Sequence, residues 1–336
     1  MKKVFTVISC FAAAAGFCGI LFLLQKLLVP KFVSDVPEGS MIEEYYREPS
    51  GHDVIFLGDC EAYECFDPSY IKKKTGLSCY VRGSASQRIW QSYYLAEDTF
   101  RYETPKYMVL SVQEMQYDTP AKEEYNRMTL DGMRPSNAKW DSVRASMNKG
   151  ESFMSYVFPI LRYHDRWRSL MPEDAEYMFT KPIITEHGFL PSYSVVPMGE
   201  LPPVKALPSY KLPDKNMDYL DKLNKLCKSR GTTLILVKSP VLYPHWYDAW
   251  SSEIREFADK NGIIYTDMTN SVIAQAIGID WSKDTADGGS HMNYNGAVQI
   301  SSYFSDILLK LENEPQRNKT GVQSGVFPQI GRQNQS

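Results

Sequence analysis

Asp53-Val54-Ile55-Phe56-Leu57-Gly58-Asp59-Cys60-Glu61 is the stretch that decides the fold. Four apolar residues, two of them β-branched, run together until Gly58 stops them. A short continuous apolar run closed by glycine reads as a strand buried on both faces of a parallel sheet. The polar set Asp59, Cys60 and Glu61 follows at the strand's carboxyl end, where open α/β sheets bind ligands. A thiol there is placed for chemistry. The plainer alternative is a small buried filler, because free cysteine is among the most buried residue types.

Working outward, the same pattern repeats. Asp67 and Pro68 form a helix start, and Gly76 ends that helix. Residues 78–81 are a second short strand, followed by the small polar loop 82–87. Residues 89–102 read as a helix and 106–112 as a third buried strand ending at Gln113-Glu114. Strand, helix, strand, helix, strand is the signature of a doubly wound parallel sheet. The alternation resumes with helix 217–230, strand 232–237, helix 251–261, strand 263–267 and helix 301–311. The expected fold class is therefore α/β, three-layered, with a parallel flavodoxin-like sheet.

Residues 115–212 break the alternation. They are rich in Pro, Tyr, Met and Arg, with helices expected over 141–147 and 152–168, and seven prolines between 181 and 213. They read as a helical and irregular insertion capping the carboxyl edge of the sheet. A structureless stretch of this length is usually functional or disordered.

The amino terminus differs from the rest. After Lys2 and Lys3, no charged residue occurs from Val4 to Leu24, a run of roughly 30 Å at about 1.5 Å per residue. The apolar run continues past any small-x-small cleavage site, so residues 4–28 read as an uncleaved transmembrane signal anchor. The two lysines before it predict a cytoplasmic amino terminus, with the remainder outside the cell. Residues 29–50 read as a stalk, 51–312 as the α/β domain and 313–336 as a disordered tail.

The 336 residues carry a net charge of −3, which lacks the basic footprint of a nucleic-acid binder. Cys10 and Cys18 lie in the apolar span. Cys60, Cys65, Cys79 and Cys227 show no CxxC spacing and no disulfide framework, so they read as thiols, with Cys65–Cys79 as the candidate exception. No metal cluster and no cofactor are expected.

The last chemical stretch is Asp284-Thr285-Ala286-Asp287-Gly288-Gly289-Ser290-His291-Met292-Asn293. An acid, a glycine turn and a histidine make a base-and-orienter pair, because a carboxylate can fix the imidazole tautomer and stabilise the imidazolium. A lone histidine is more often structural. Here the turn residues keep His291 on a loop, and loops over a rigid sheet carry function. Together with Cys60 this gives a Cys60–His291–Asp287 triad, with Asp284 as the second choice of orienter. Asp59 and Glu61 beside the thiol would raise its pKa. Arg127 and Arg134 would suit an anionic glycan or phosphate, and Lys238 directly follows a strand. Gln87, Trp90 and His245 complete the expected substrate contacts.

These blocks resemble the SGNH/GDSL hydrolase superfamily over residues 50–115 and 215–311. More narrowly, they are similar to membrane-anchored Gram-positive relatives akin to teichoic-acid D-alanylation and alginate O-acetylation proteins. The nucleophile block falls on Gly58-Asp59-Cys60, the oxyanion glycine on Gly83, and the final Asp-His block on Asp287 and His291. Three departures stand out: cysteine replaces serine, Val112-Gln113-Glu114 replaces the Gly-x-Asn-Asp block, and the Asp-to-His spacing is four. The resemblance implies ester or acyl-transfer chemistry at the cell surface, with Gly83 and Gln113 as oxyanion donors. The partners it implies are the bilayer, a cell-surface glycan and a membrane-bound O-acyltransferase. The alternative is a non-catalytic glycan-binding or scaffolding partner of such an acyltransferase.

Overall fold

The computed structural model describes residues 2–34 and 36–319. Five parallel strands form one sheet: β1 (Val54–Gly58), β2 (Cys79–Gly83), β3 (Tyr107–Ser111), β4 (Thr233–Lys238) and β5 (Ile264–Asp267), in the order β2-β1-β3-β4-β5. This is the flavodoxin-like order of doubly wound sheets. Its ligand crevice lies where the winding reverses, at the carboxyl ends of β1 and β3.

Side chains alternate across the sheet, so each strand feeds both cores. Ile55, Leu57, Met108, Leu110, Leu234 and Leu236 face one layer. Val54, Phe56, Val109, Ile235 and Val237 face the other. That double burial is why the strands read as unbroken apolar runs. The first face is covered by helices Ile89–Thr99, Asp214–Arg230 and Asp248–Asn261, and the second by Pro68–Thr75 and Tyr294–Lys319. Asp67 Oδ1 caps the Pro68–Thr75 helix by accepting from Tyr70 N at 2.9 Å, and Gly76 ends it with φ +81°. The three-layer α/β/α expectation holds.

Several local expectations are corrected. The segment expected as a stalk is part of the domain: Ser40, Met41, Ile42, Glu44 and Tyr45 are buried, and Tyr45 OH donates to Glu103 at 2.7 Å. Hydrophobic residues scattered among charges concealed this packing. The expected helix over 152–168 is broken into Phe153–Val157, Ile160–Tyr163 and a 3₁₀ turn at His164–Arg168, with Pro159 separating the first two. The last helix starts at Tyr294 and extends to Lys319, past the point where a disordered tail was expected; residues 320–336 lie outside the described residues. All six cysteines are free, so no Cys65–Cys79 bridge forms.

The expected insertion is divided. Helix Asn137–Ser146 packs on Ile89–Thr99, on one face of the sheet rather than over its edge. Residues 187–198 do reach the carboxyl end. Val81 N donates to His187 O at 2.9 Å, Leu190 N to Tyr63 O at 2.9 Å, and Val196 N to Thr285 O at 3.1 Å.

Helix Lys2–Leu28 has the length and apolarity to cross a membrane.

Candidate active site

The crevice is built from the loops after β1, β3 and β4. At the end of β1, Gly58 has φ +149°, and a Cβ there would stand 2.7 Å from Ser111 Cβ on β3. Only glycine permits that approach. Asp59 then caps a single helical turn, Cys60–Tyr63, by accepting from Glu61 N at 3.1 Å. Cys60 is half-buried against the cluster that contains Val241 and Met292.

The turn from Thr285 to Met292 brings Asp287 and His291 together. Thr285 and Met292 form an antiparallel bridge, and Gly288 and Gly289 take φ of +91° and +127°. Asp287 Oδ1 accepts from the backbone N–H of Ser290 and His291 at 3.0 and 2.9 Å, while Oδ2 lies 2.6 Å from His291 Nδ1. Burial would raise the Asp287 pKa, but the hydrogen bonds from His291 and Ser290 outweigh it and lower it. The carboxylate accepts, so Nδ1 is the donor toward Asp287 and Nε2 is the ring nitrogen left for another partner. Asp284 is not the orienter. It is buried and accepts from Asp280 N and Gln299 Nε2, each at 2.8 Å.

The loop after β4 ties the two halves together. Ser239 Oγ donates to Glu61 O at 3.1 Å, and Leu242 N donates to Gly289 O at 2.8 Å. The loop after β4 thus contacts both the turn that carries Cys60 and the turn that carries Asp287 and His291. Among the described residues no hydrogen bond joins Cys60 to His291.

The thiol has acidic surroundings. Its pKa is pushed well up by burial first, then by Asp59, Glu64, Glu61 and Glu114. Asp59 is itself pushed well up by burial and by Glu114, with which it shares a hydrogen bond; two buried carboxyls so close hold one proton between them. Arg88 pairs with Glu114 on the other side. Glu61 is raised to about 7 by burial, against the pull of Lys238, whose ammonium is 2.7 Å away.

The expected substrate contacts divide into two groups. Trp90 is fully buried and donates Nε1–H to Ser146 Oγ at 3.0 Å. Gln87 is buried and bonds Ser84, Arg82 O and Ser92. Arg127 is buried between Glu123 and Asp131 with its guanidinium 4.0 Å from the centre of the Tyr156 ring. Lys238 is sealed against Glu61. None of these four presents an open surface. Arg134 and His245 are exposed, the first over the Tyr46 ring and the second against Tyr247.

Of the expected oxyanion residues, Gly83 ends β2 with no room for a side chain, since a Cβ would lie 3.1 Å from both Gly58 O and Tyr63 Cδ1. Gln113 is buried at the end of β3 with Oε1 unpartnered.

Sequence reading missed Glu64. Its Oε2 is buried without a hydrogen-bond partner, and its pKa is raised to about 9 by burial first, then by Asp287, Glu38 and Asp59. The available signal was spacing: Glu64 lies four residues after Cys60, one helical turn on, and Glu64 N donates to Cys60 O at 2.9 Å.

No protein-family model matches the chain, and no curated protein matches it. Among solved structures, a protein assigned to the G-D-S-L lipolytic family from Desulfitobacterium hafniense aligns with 76% of this chain and 99% of its own, at 10% identity and a TM-score of 0.38. A protein described as an acylhydrolase from Bacteroides fragilis aligns with 84% of this chain and 99% of its own, at 10% identity and 0.39. A GDSL-like lipase from Bacteroides thetaiotaomicron aligns with 80% of this chain and 99% of its own, at 12% identity and 0.37. At such low scores and identities, the chemistry of the site is carried by its own residues.

Proposed function

We propose that this chain is a membrane-anchored, SGNH-like esterase or acyl-transfer protein acting outside the cytoplasm on cell-wall or capsular glycan, akin to teichoic-acid and alginate acylation proteins. Cys60 is the nucleophile, His291 the general base and Asp287 its orienter. The observation that supports the reading is the 2.6 Å contact between Asp287 Oδ2 and His291 Nδ1, the orienter-to-base contact that such a triad requires.

The raised thiol pKa shapes the mechanism. A resting thiolate–imidazolium pair is disfavoured. His291 Nε2 instead takes the thiol proton as sulfur attacks the ester carbonyl, as in serine hydrolases. The tetrahedral oxyanion is held by backbone N–H groups of Cys60 and Gly83 and by Gln113, each donor being worth about 3–4 kcal/mol in comparable sites. Collapse expels the alcohol, which takes the proton from His291, and leaves a thioester on Cys60. Water or a glycan hydroxyl, deprotonated by His291, then releases the acyl group. Arg134 and His245 are the exposed candidates for glycan contact.

The acidic surroundings of the thiol favour a second reading, a non-catalytic glycan-binding or scaffolding partner of a membrane O-acyltransferase. Hydrolysis of an aryl acetate by the purified full chain separates the two. Catalysis predicts loss of at least ~100-fold in Cys60→Ala and His291→Ala, with turnover retained in Cys60→Ser, since the site already handles a protonated nucleophile. Wild-type turnover that survives both alanine changes rejects the triad.

A further inference from the structure

The anchor helix is not loosely tethered. Only Gln25, Leu27 and Leu28 of its last turns are covered, and the cover comes from residues 160–176. Arg166 Nη1 donates to Leu28 O at 2.6 Å and pairs with Asp174 at 2.8 Å; Lys31 Nζ donates to Lys26 O at 2.8 Å and lies 3.7 Å from the same Asp174. Cationic groups thus cap the carboxyl end of the helix, where its dipole favours them. This joint fixes the domain's attitude at the point where the helix leaves the bilayer.

The segment that forms the joint carries several exposed apolar side chains. Phe158, Leu161, Met171 and Phe179 are exposed, and Trp167 is 62% exposed, although none lies in the apolar anchor. Arg168 stacks over Trp167, its guanidinium 5.0 Å from the ring centre. Exposed apolar side chains gathered in one segment mark an interaction surface. Trp beside Arg is the composition of the headgroup zone, where an amphipathic ring meets both acyl chain and phosphate.

We propose that residues 153–183 form a platform that rests in the headgroup layer beside the anchor, with Phe158, Leu161, Trp167, Met171 and Phe179 dipping toward the acyl chains. The occupant is lipid because the joint places this segment at the helix exit, where the bilayer surface begins. The platform holds the α/β domain in a fixed orientation at the membrane. It does not depend on whether Cys60 is catalytic.

The test uses the full chain at one copy per phosphatidylcholine nanodisc, with and without bromine on the upper acyl carbons. The remaining tryptophans, at positions 90, 140, 246, 250 and 281, lie outside the segment. The wild type is expected to lose part of its tryptophan emission to the brominated lipid, and Trp167→Phe to abolish most of that loss. Leu161→Ser, which leaves Trp167 in place, is expected to reduce the quenching by about half. Equal quenching in wild type and Trp167→Phe overturns the proposal. So does quenching seen only at two copies per disc, which would assign the surface to self-association, and so does the absence of quenching.

Discussion

Lys238 Nζ lies 2.7 Å from Glu61 Oε1, and both side chains are sealed from solvent. The contact joins the end of β4 to the turn after β1, at the residue that follows Cys60. Ser239 N adds a hydrogen bond to the other Glu61 oxygen at 3.2 Å. Lys238 therefore ties β4 to the turn that carries Cys60.

Removing one member of a buried ion pair leaves the other charge without compensation. Lys238→Met is expected to lower stability by about 3–5 kcal/mol in urea unfolding. Lys238→Met combined with Glu61→Leu should recover much of that loss, because no lone charge remains. A double variant no more stable than the single one would contradict the pairing.

Cys60 should be a slow thiol. With its pKa pushed up by burial and four carboxyl groups, the thiolate fraction at pH 7 is below that of free cysteine. Iodoacetamide modification of Cys60, followed by peptide mass, is expected to run at least ~10-fold slower than for a free thiol and to accelerate as pH rises. A rate equal to or faster than the free thiol would show an activated thiolate.

Glu64 holds a proton at neutral pH, since its pKa stands at about 9. Its folded pKa exceeds its unfolded value, so stability declines as pH rises from about 4 toward 9. Glu64→Gln keeps the shape and removes the ionisable group. It should be more stable than the wild type at pH 8, where the wild type must take up a proton on folding, and the gap should close toward pH 4. A lower melting temperature for the variant at pH 8 would reject the neutral form.

Glu103 has the opposite sign. Burial alone would raise its pKa, but hydrogen bonds from the His52 ring, the Tyr45 hydroxyl and the backbone of His52 and Gly51 bring it to about 2. Its contribution is full above an unfolded pKa of about 4.3 and is lost as pH falls toward 2. Glu103→Gln should cost ~3 kcal/mol at pH 7, and the gap from the wild type should close in acid. A gap independent of pH would mean that the carboxylate charge is not what stabilises this corner.

The order of strands and helices was legible because the strands are buried on both faces and three of the helices on the sheet end at a glycine, Gly76, Gly231 and Gly262. Val54–Gly58, Tyr107–Ser111 and Thr233–Lys238 could hardly be read otherwise. The Asp287–His291 pairing was also legible, since a glycine turn of that length returns the chain on itself. The standing of the polar residues was not. Lys238, Arg127, Gln87 and Trp90 all have side chains that could have faced a ligand, and Lys238 and Trp90 are sealed by partners 177 and 56 residues away in the chain. The Glu64 pKa is raised in the same way, by burial first and then by Asp287 and Glu38, which only folding brings near it. Local sequence determined backbone conformation and the strand-by-strand apolar pattern, because those depend on neighbours in the chain. Tertiary structure alone decided which charges were desolvated, which were paired and which face of the insertion met the anchor, because desolvation and pairing are properties of neighbours in space.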